Sequence, residues 1–186
     1  MASVDLQDAC YSLPIHRKDQ KYFSFFWDGH LYRFICMPNG FTDGPRIFMK
    51  VLKVPFSLLR SRGHESVIYL DDGYLQGLTY ALCLANIQDT VSLLTSLGFF
   101  ISPKSVLQPT QELTYLGFVL NSVSMSVTLT EKRKEKLWSL TDSLLAQPTQ
   151  SIRKVAGLIG TIIAASPGVL HGQLHYRRLE RDKNGP

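Results

Sequence analysis

Long apolar runs are missing from this chain. No stretch approaches the roughly 18 to 20 consecutive apolar residues of a membrane span, although 45% of the 186 residues are hydrophobic. Cysteine is scarce: Cys10, Cys36 and Cys83 are odd in number, widely spaced and free of any Cys-x-x-Cys pair. Neither a disulfide framework nor a zinc site is expected from them, and a reducing, intracellular setting fits. His171 and His175 stand four apart without further ligand types nearby, which reads as two surface histidines. Met1-Ala2-Ser3-Val4-Asp5 carries no basic region and no apolar core, so no secretory signal is expected. Repeats and low-complexity tracts are absent as well.

Charge is unevenly placed. Residues 1–130 hold ten Lys/Arg against ten Asp/Glu, while residues 131–186 hold ten against five, which is the whole net charge of +5. A basic segment is commonly a solvated helix face, yet a basic lobe also suits a protein that must hold a polyanion. Lys132, Arg133, Lys134 and Lys136 are the candidate phosphate contacts.

Apolar patterning gives a mixed half followed by a helical half. Ser3-Val4-Asp5-Leu6 reads as a strand, and Tyr22–Trp27 with Leu31–Cys36 as a hairpin around Asp28-Gly29. Gly44-Pro45 starts a helix that Pro55 should kink or end. Leu84, Ile87, Val91 and Leu94 share a helix face closed by Gly98. Phe99–Ile101 and Tyr115–Leu120 read as further strands. Thr128 to Glu131 has capping-box spacing and leads into a helix over Lys132–Ala146. A break at Pro148–Ser151 precedes a second helix ending near Pro167-Gly168, and a third is expected over Val169–Arg181. The divide between halves falls within 121–130.

The chemistry concentrates in Val67-Ile68-Tyr69-Leu70-Asp71-Asp72-Gly73-Tyr74-Leu75, read as a hairpin with two adjacent carboxylates at an Asp-Asp-Gly turn. Adjacent anions repel, and a divalent cation between them offsets the repulsion. Asp5 ends a short strand 66 residues earlier (71 minus 5). If the two strands are neighbours, three carboxylates meet at one edge, a set suited to phosphoryl transfer with two Mg²⁺ ions. Asp8 is a weaker candidate with a turn or capping role.

In order, Val4-Asp5-Leu6-Gln7-Asp8-Ala9-Cys10-Tyr11-Ser12, Met37-Pro38-Asn39-Gly40-Phe41, Tyr69-Leu70-Asp71-Asp72, Leu97-Gly98-Phe99 with Lys104, and Leu113-Thr114-Tyr115-Leu116-Gly117-Phe118 resemble the motifs of reverse transcriptases. Pro38 to Phe48, Ser122-Val123-Ser124-Met125 and His175 to Glu180 resemble the DIRS-type (tyrosine-recombinase) retrotransposons within that family.

The resemblance implies an α+β fold. A palm with an antiparallel sheet backed by helices would cover residues 1–120, including part of the fingers as a hairpin at 20–37. A small helical thumb would follow over 121–180, and 181–186 would be a linker toward an RNase H domain outside this chain. It implies an RNA-directed DNA polymerase fragment using two Mg²⁺ ions, with Mn²⁺ as a substitute. Metal ligands would be Asp5, Asp71 and Asp72, plus the Leu6 carbonyl. Cys10, Asn39, Gly40 and Lys104 would border the nucleotide, and Tyr115, Leu116 and Gly117 would grip the primer. Read without the family, Pro38-Asn39-Gly40 is a tight turn, Lys104 is a solvated lysine, and Tyr115 and Leu116 are core. Partners would be an RNA or DNA template with primer and deoxynucleoside triphosphates. Cys10 stands where the family usually carries an aromatic that excludes a ribose 2′-hydroxyl. The alternative is a catalytically inactive nucleic-acid-binding remnant, because the basic fingers segment upstream of the first motif is not in this chain.

Overall fold

The chain, seen here as a computed structural model, is described over residues 1–146, 149–174 and 176–184. Strand β1 (Ala2–Gln7) turns Ala2, Val4 and Leu6 inward and Ser3, Asp5 and Gln7 to the opposite face, as a period of two requires. The hairpin of β4 (Glu65–Tyr69) and β5 (Asp72–Gln76) pairs on one side of β1, and β6 (Phe100–Ile101) on the other. All pairs are antiparallel, in the order β4-β5-β1-β6. Helices α1 (Gly44–Ser61) and α2 (Tyr80–Ser96) complete one core with this sheet, through Phe48, Leu52, Phe56 and Leu59 from α1 and Cys83, Ile87 and Leu94 from α2. With α1 and α2 these strands belong to one compact unit, Met1–Thr110.

Helix α1 does not end at Pro55 but continues to Ser61. A proline inside a helix costs about 3 kcal/mol. Phe56 and Leu59 beyond it are fully buried, and each such side chain returns about 1.5–3 kcal/mol. Strands β2 (Ser24–Trp27) and β3 (His30–Arg33) form the expected hairpin, with Asp28 at φ 47° and Gly29 at φ 72° in its turn. Two positive φ values match the twist of a two-residue hairpin. Gln20–Phe23 is a 3₁₀ turn, so the first strand starts later than the apolar pattern suggests.

Beyond Thr110 the architecture departs from the expected helical half. Tyr115–Leu120 is not one strand: β7 (Glu112–Tyr115) and β8 (Phe118–Asn121) flank a Leu116-Gly117 turn. An unforeseen β9 (Ser126–Leu129) completes a three-stranded sheet. The second compact unit therefore begins at Gln111, ten residues before the divide expected from sequence, because β7 and β8 pair with β9. Helix α3 (Glu131–Leu145) follows, but the capping box does not form. Thr128 pairs with Val119 inside β9, and the N-cap is Thr130, whose hydroxyl donates to the Gly117 carbonyl at 3.3 Å. Helix α4 (Ile152–Ala165) buries Leu158, Ile159 and Ala165. The third helix is shorter and later than expected: Ser166–Gly168 and Gly172–Leu174 are 3₁₀ turns, and α5 spans Arg177–Asn184. His171, at φ 54°, stands outside any helix, and Gly172 approaches Ser166 closely. Residues 181–184 form the end of α5. Pro148, His175, Gly185 and Pro186 lie outside the described residues.

Candidate active site

Asp5 and Asp72 are register partners across β1 and β5. In β5, Gly73 and Leu75 take the buried positions, which leaves Asp72 and Tyr74 on the same open face as Asp5. Directly opposed residues of an antiparallel pair hold their Cβ atoms about 4.5–5.5 Å apart. A Cβ at Gly73 would crowd the Val4 carbonyl at 3.3 Å and Ile68 Cδ1 at 3.4 Å, so a larger residue there needs its neighbours to give way.

The turn itself differs from the Asp-Asp-Gly reading. It consists of Leu70 and Asp71, and Asp72 already pairs with Tyr69. Leu70 adopts φ 55°, an uncommon value for a leucine, and its N–H donates to Met49 Sδ of α1 at 3.1 Å. The Asp71 carbonyl accepts from the Leu6 N–H at 3.0 Å. A residue's N–H and C=O point the same way in an extended strand, so the Leu6 carbonyl faces the Asp71 turn. Burial pushes the Asp72 carboxyl up, and the neighbouring charges of Asp71 and then Asp5 push it further. Burial first and the Asp71 charge second also raise the Cys10 thiol. Cys10 lies in a 3₁₀ turn (Ala9–Ser12) and packs against the edge of the core, while Asp8 occupies the left-handed N-cap without a side-chain capping bond.

Lys104 is exposed, on a loop after β6 that is tied to Asp5. The Asp5 carbonyl accepts from the Ser102 N–H at 2.8 Å, and the Asp5 N–H donates to Ser105 Oγ at 2.9 Å. Ser102, Ser105 and Met49 went unnoticed in the sequence because a serine in a loop and a methionine on a helix carry no spacing signal. Asn86 was missed for a related reason: it is a polar residue on a buried helix face. Its side-chain amide donates to the Glu65 and Gln76 carbonyls at 2.8 and 2.9 Å, fastening α2 to both ends of the hairpin. Asn39 and Gly40 form an exposed turn with Gly40 at φ 87°, as the turn reading requires.

In the second unit, Leu116 (φ 47°) and Gly117 (φ 78°) make the β7–β8 turn. Arg133 is spent inside this unit. Its guanidinium stacks over Phe118 at 4.4 Å, donates to the Ala164 carbonyl at 3.3 Å and lies against Gly117. Lys134 pairs with Glu131 at 2.7 Å, which leaves Lys132 and Lys136 as the exposed cations of this group without an ion pair among the described residues.

Among the described residues, no three of His, Cys, Asp and Glu converge as a metal cage. The three aspartates still fit a hard cation: their donors are all carboxylate oxygens, and the charges of Asp71 and Asp5, which add to the burial that raises Asp72, are what such a cation offsets.

The family model for reverse transcriptase (RNA-dependent DNA polymerase) matches residues 1–120. This chain belongs to the reverse transcriptases. Its curated relatives include the Gag-Pol polyprotein of Walleye dermal sarcoma virus, 29% identical over 98% of this chain and 10% of the polyprotein. That of Avian reticuloendotheliosis virus is 30% identical over 86% of this chain and 14% of the polyprotein. The chain thus spans about a tenth of the length of such relatives. Among solved structures, the foamy viral protease-reverse transcriptase in complex with double-stranded DNA superposes with a TM-score of 0.79 at 20% identity, over 96% of this chain and 30% of that one. A foamy viral protease-reverse transcriptase in complex with an RNA/DNA hybrid gives 0.68 at 22% identity, over 87% and 20%. These structures share the fold of this reverse transcriptase, which is α+β as expected. The family generally uses Mg²⁺. Among the described residues no helix is long and apolar enough to cross a membrane.

Proposed function

We propose that this reverse transcriptase segment carries the catalytic centre of an RNA-directed DNA polymerase of a retroelement. The observation that carries the reading is the register pairing of Asp5 with Asp72 beside the Asp71 turn on one open sheet face. Two Mg²⁺ ions held by Asp5, Asp71 and Asp72, with the Leu6 carbonyl as a further ligand, would activate a primer 3′-hydroxyl and neutralise the triphosphate. Lys104 reaches the triphosphate from the loop anchored at Asp5, and Cys10, Asn39 and Gly40 border the nucleotide. Cysteine is far smaller than an aromatic ring, so the clash that would exclude a ribose 2′-hydroxyl is weak here. Tyr115, Leu116 and Gly117 hold the primer end, and Lys132 and Lys136 hold phosphates of the template-primer.

In this reading the first unit is the palm and the second supplies the primer grip and thumb. An RNase H domain belongs to the full-length element, which works inside the cell. The strings Pro38 to Phe48, Ser122 to Met125 and His175 to Glu180 support a DIRS-type element in particular. The test is primer extension by a retroviral polymerase in which residues 1–186 replace the matched segment, on RNA and DNA templates. Extension on both supports the reading; template-primer binding without extension supports the inactive remnant instead.

A further inference from the structure

We propose that Ser105 is a positioning residue for the metal-binding aspartate Asp5. The inference rests on the reading of Asp5, Asp71 and Asp72 as metal ligands. Beside β1, the partner strand pairs Ile101 with Leu6 and Val106 with Ser3, and loops outward between. Between these pairs the Ser102 N–H still donates to the Asp5 carbonyl at 2.8 Å, while the Asp5 N–H is met by a side chain instead of a backbone carbonyl. The Ser105 hydroxyl fills the gap: Oγ accepts from the Asp5 N–H at 2.9 Å and donates to the Asp5 carbonyl at 3.3 Å. One hydroxyl has the single proton and the lone pair that this double role needs.

The same loop is closed on itself. Ser102 Oγ accepts from the Lys104 N–H at 3.2 Å, and the Ser105 N–H donates to the Ser102 carbonyl at 3.0 Å. The backbone that presents Lys104 is therefore the backbone that holds Asp5 in place. Without the hydroxyl, a half-buried N–H at the base of a metal ligand loses its partner. A ligand whose backbone is free to shift binds its ion more weakly, typically by about 10- to 100-fold when an outer partner is lost.

The test uses the ¹⁵N-labelled 186-residue chain, with exchange of the Asp5 amide and Mn²⁺-induced broadening at Asp5, Asp71 and Asp72 as readouts. Ser105→Ala is expected to speed exchange at Asp5 and to raise the half-saturating Mn²⁺ about tenfold or more. Ser105→Thr keeps the hydroxyl and is expected to match the parent in both. Ser96→Ala, which removes a hydroxyl spent on the Leu93 carbonyl at the end of α2, should change neither. Equal Mn²⁺ binding by the parent and by Ser105→Ala overturns the proposal alone. An Ala-like loss in a folded Ser105→Thr chain overturns it too, and that variant decides the matter where Ser105→Ala does not fold. No site-specific broadening in the parent overturns the metal-ligand reading itself.

Discussion

Asp72 stands directly across the sheet from Asp5, two like charges at paired positions on neighbouring strands. Such pairs are destabilising when nothing neutralises them. In the folded chain the Asp72 carboxyl is raised by burial first and then by the charges of Asp71 and Asp5.

Asp72→Asn should consequently stabilise the chain when divalent cations are absent. The folded state raises the Asp72 carboxyl, chiefly by burial, so it holds that proton more tightly than the unfolded chain does. The resulting penalty is present at neutral pH. It is relieved as pH falls through the raised value toward the ordinary carboxylate range. Thermal melts in chelator should show a higher Tm for Asp72→Asn at pH 7, with the difference shrinking on acidification. A difference that grows on acidification contradicts the assignment.

Gly117→Ala should destabilise the second unit. A Cβ there would meet Arg133 Nε at 2.5 Å, at a residue whose φ is 78°, and strain of this kind costs about 1–3 kcal/mol. Urea unfolding measures the loss. Combining it with Arg133→Ala should be less than additive, because the clash and the lost stacking share one partner; strict additivity would place Arg133 elsewhere.

Lys132→Glu and Lys136→Glu should weaken binding to duplex template-primer with little dependence on sequence. Each should lower the slope of log affinity against log salt by about one. Arg133→Ala should instead lower the unfolding midpoint, since its guanidinium is held by Phe118 and Ala164. Fluorescence anisotropy across a salt series separates the two effects, and an unchanged slope in the lysine variants would remove α3 from the interface.

Much of the first unit was legible because its signals are local. Alternation in Ala2–Gln7, the Asp28-Gly29 turn and the two aspartates each announce themselves within a few residues. What stayed hidden depends on partners distant in sequence. Pro55 is tolerated because Phe56 and Leu59 find a core. Leu116-Gly117 becomes a turn because β8 has β9 to pair with. Asn86 sits on a buried helix face because it bonds two strand carbonyls. In the site, the aspartates could be named from sequence, but Ser105 could not, since its role exists only where the loop after β6 folds back on Asp5.

The central claim is that Asp71 serves metal-dependent phosphoryl transfer rather than nucleic-acid binding. Asp71 is exposed at the hairpin turn, so Asp71→Asn should leave the fold intact. The decisive measurement is primer extension by the chimeric polymerase carrying Asp71→Asn, with template-primer affinity measured in parallel. Losing electrostatic stabilisation of this kind costs at least about 10²-fold in rate. Extension lowered by that factor or more with affinity retained is the predicted result, and near-normal extension by the variant would contradict the account.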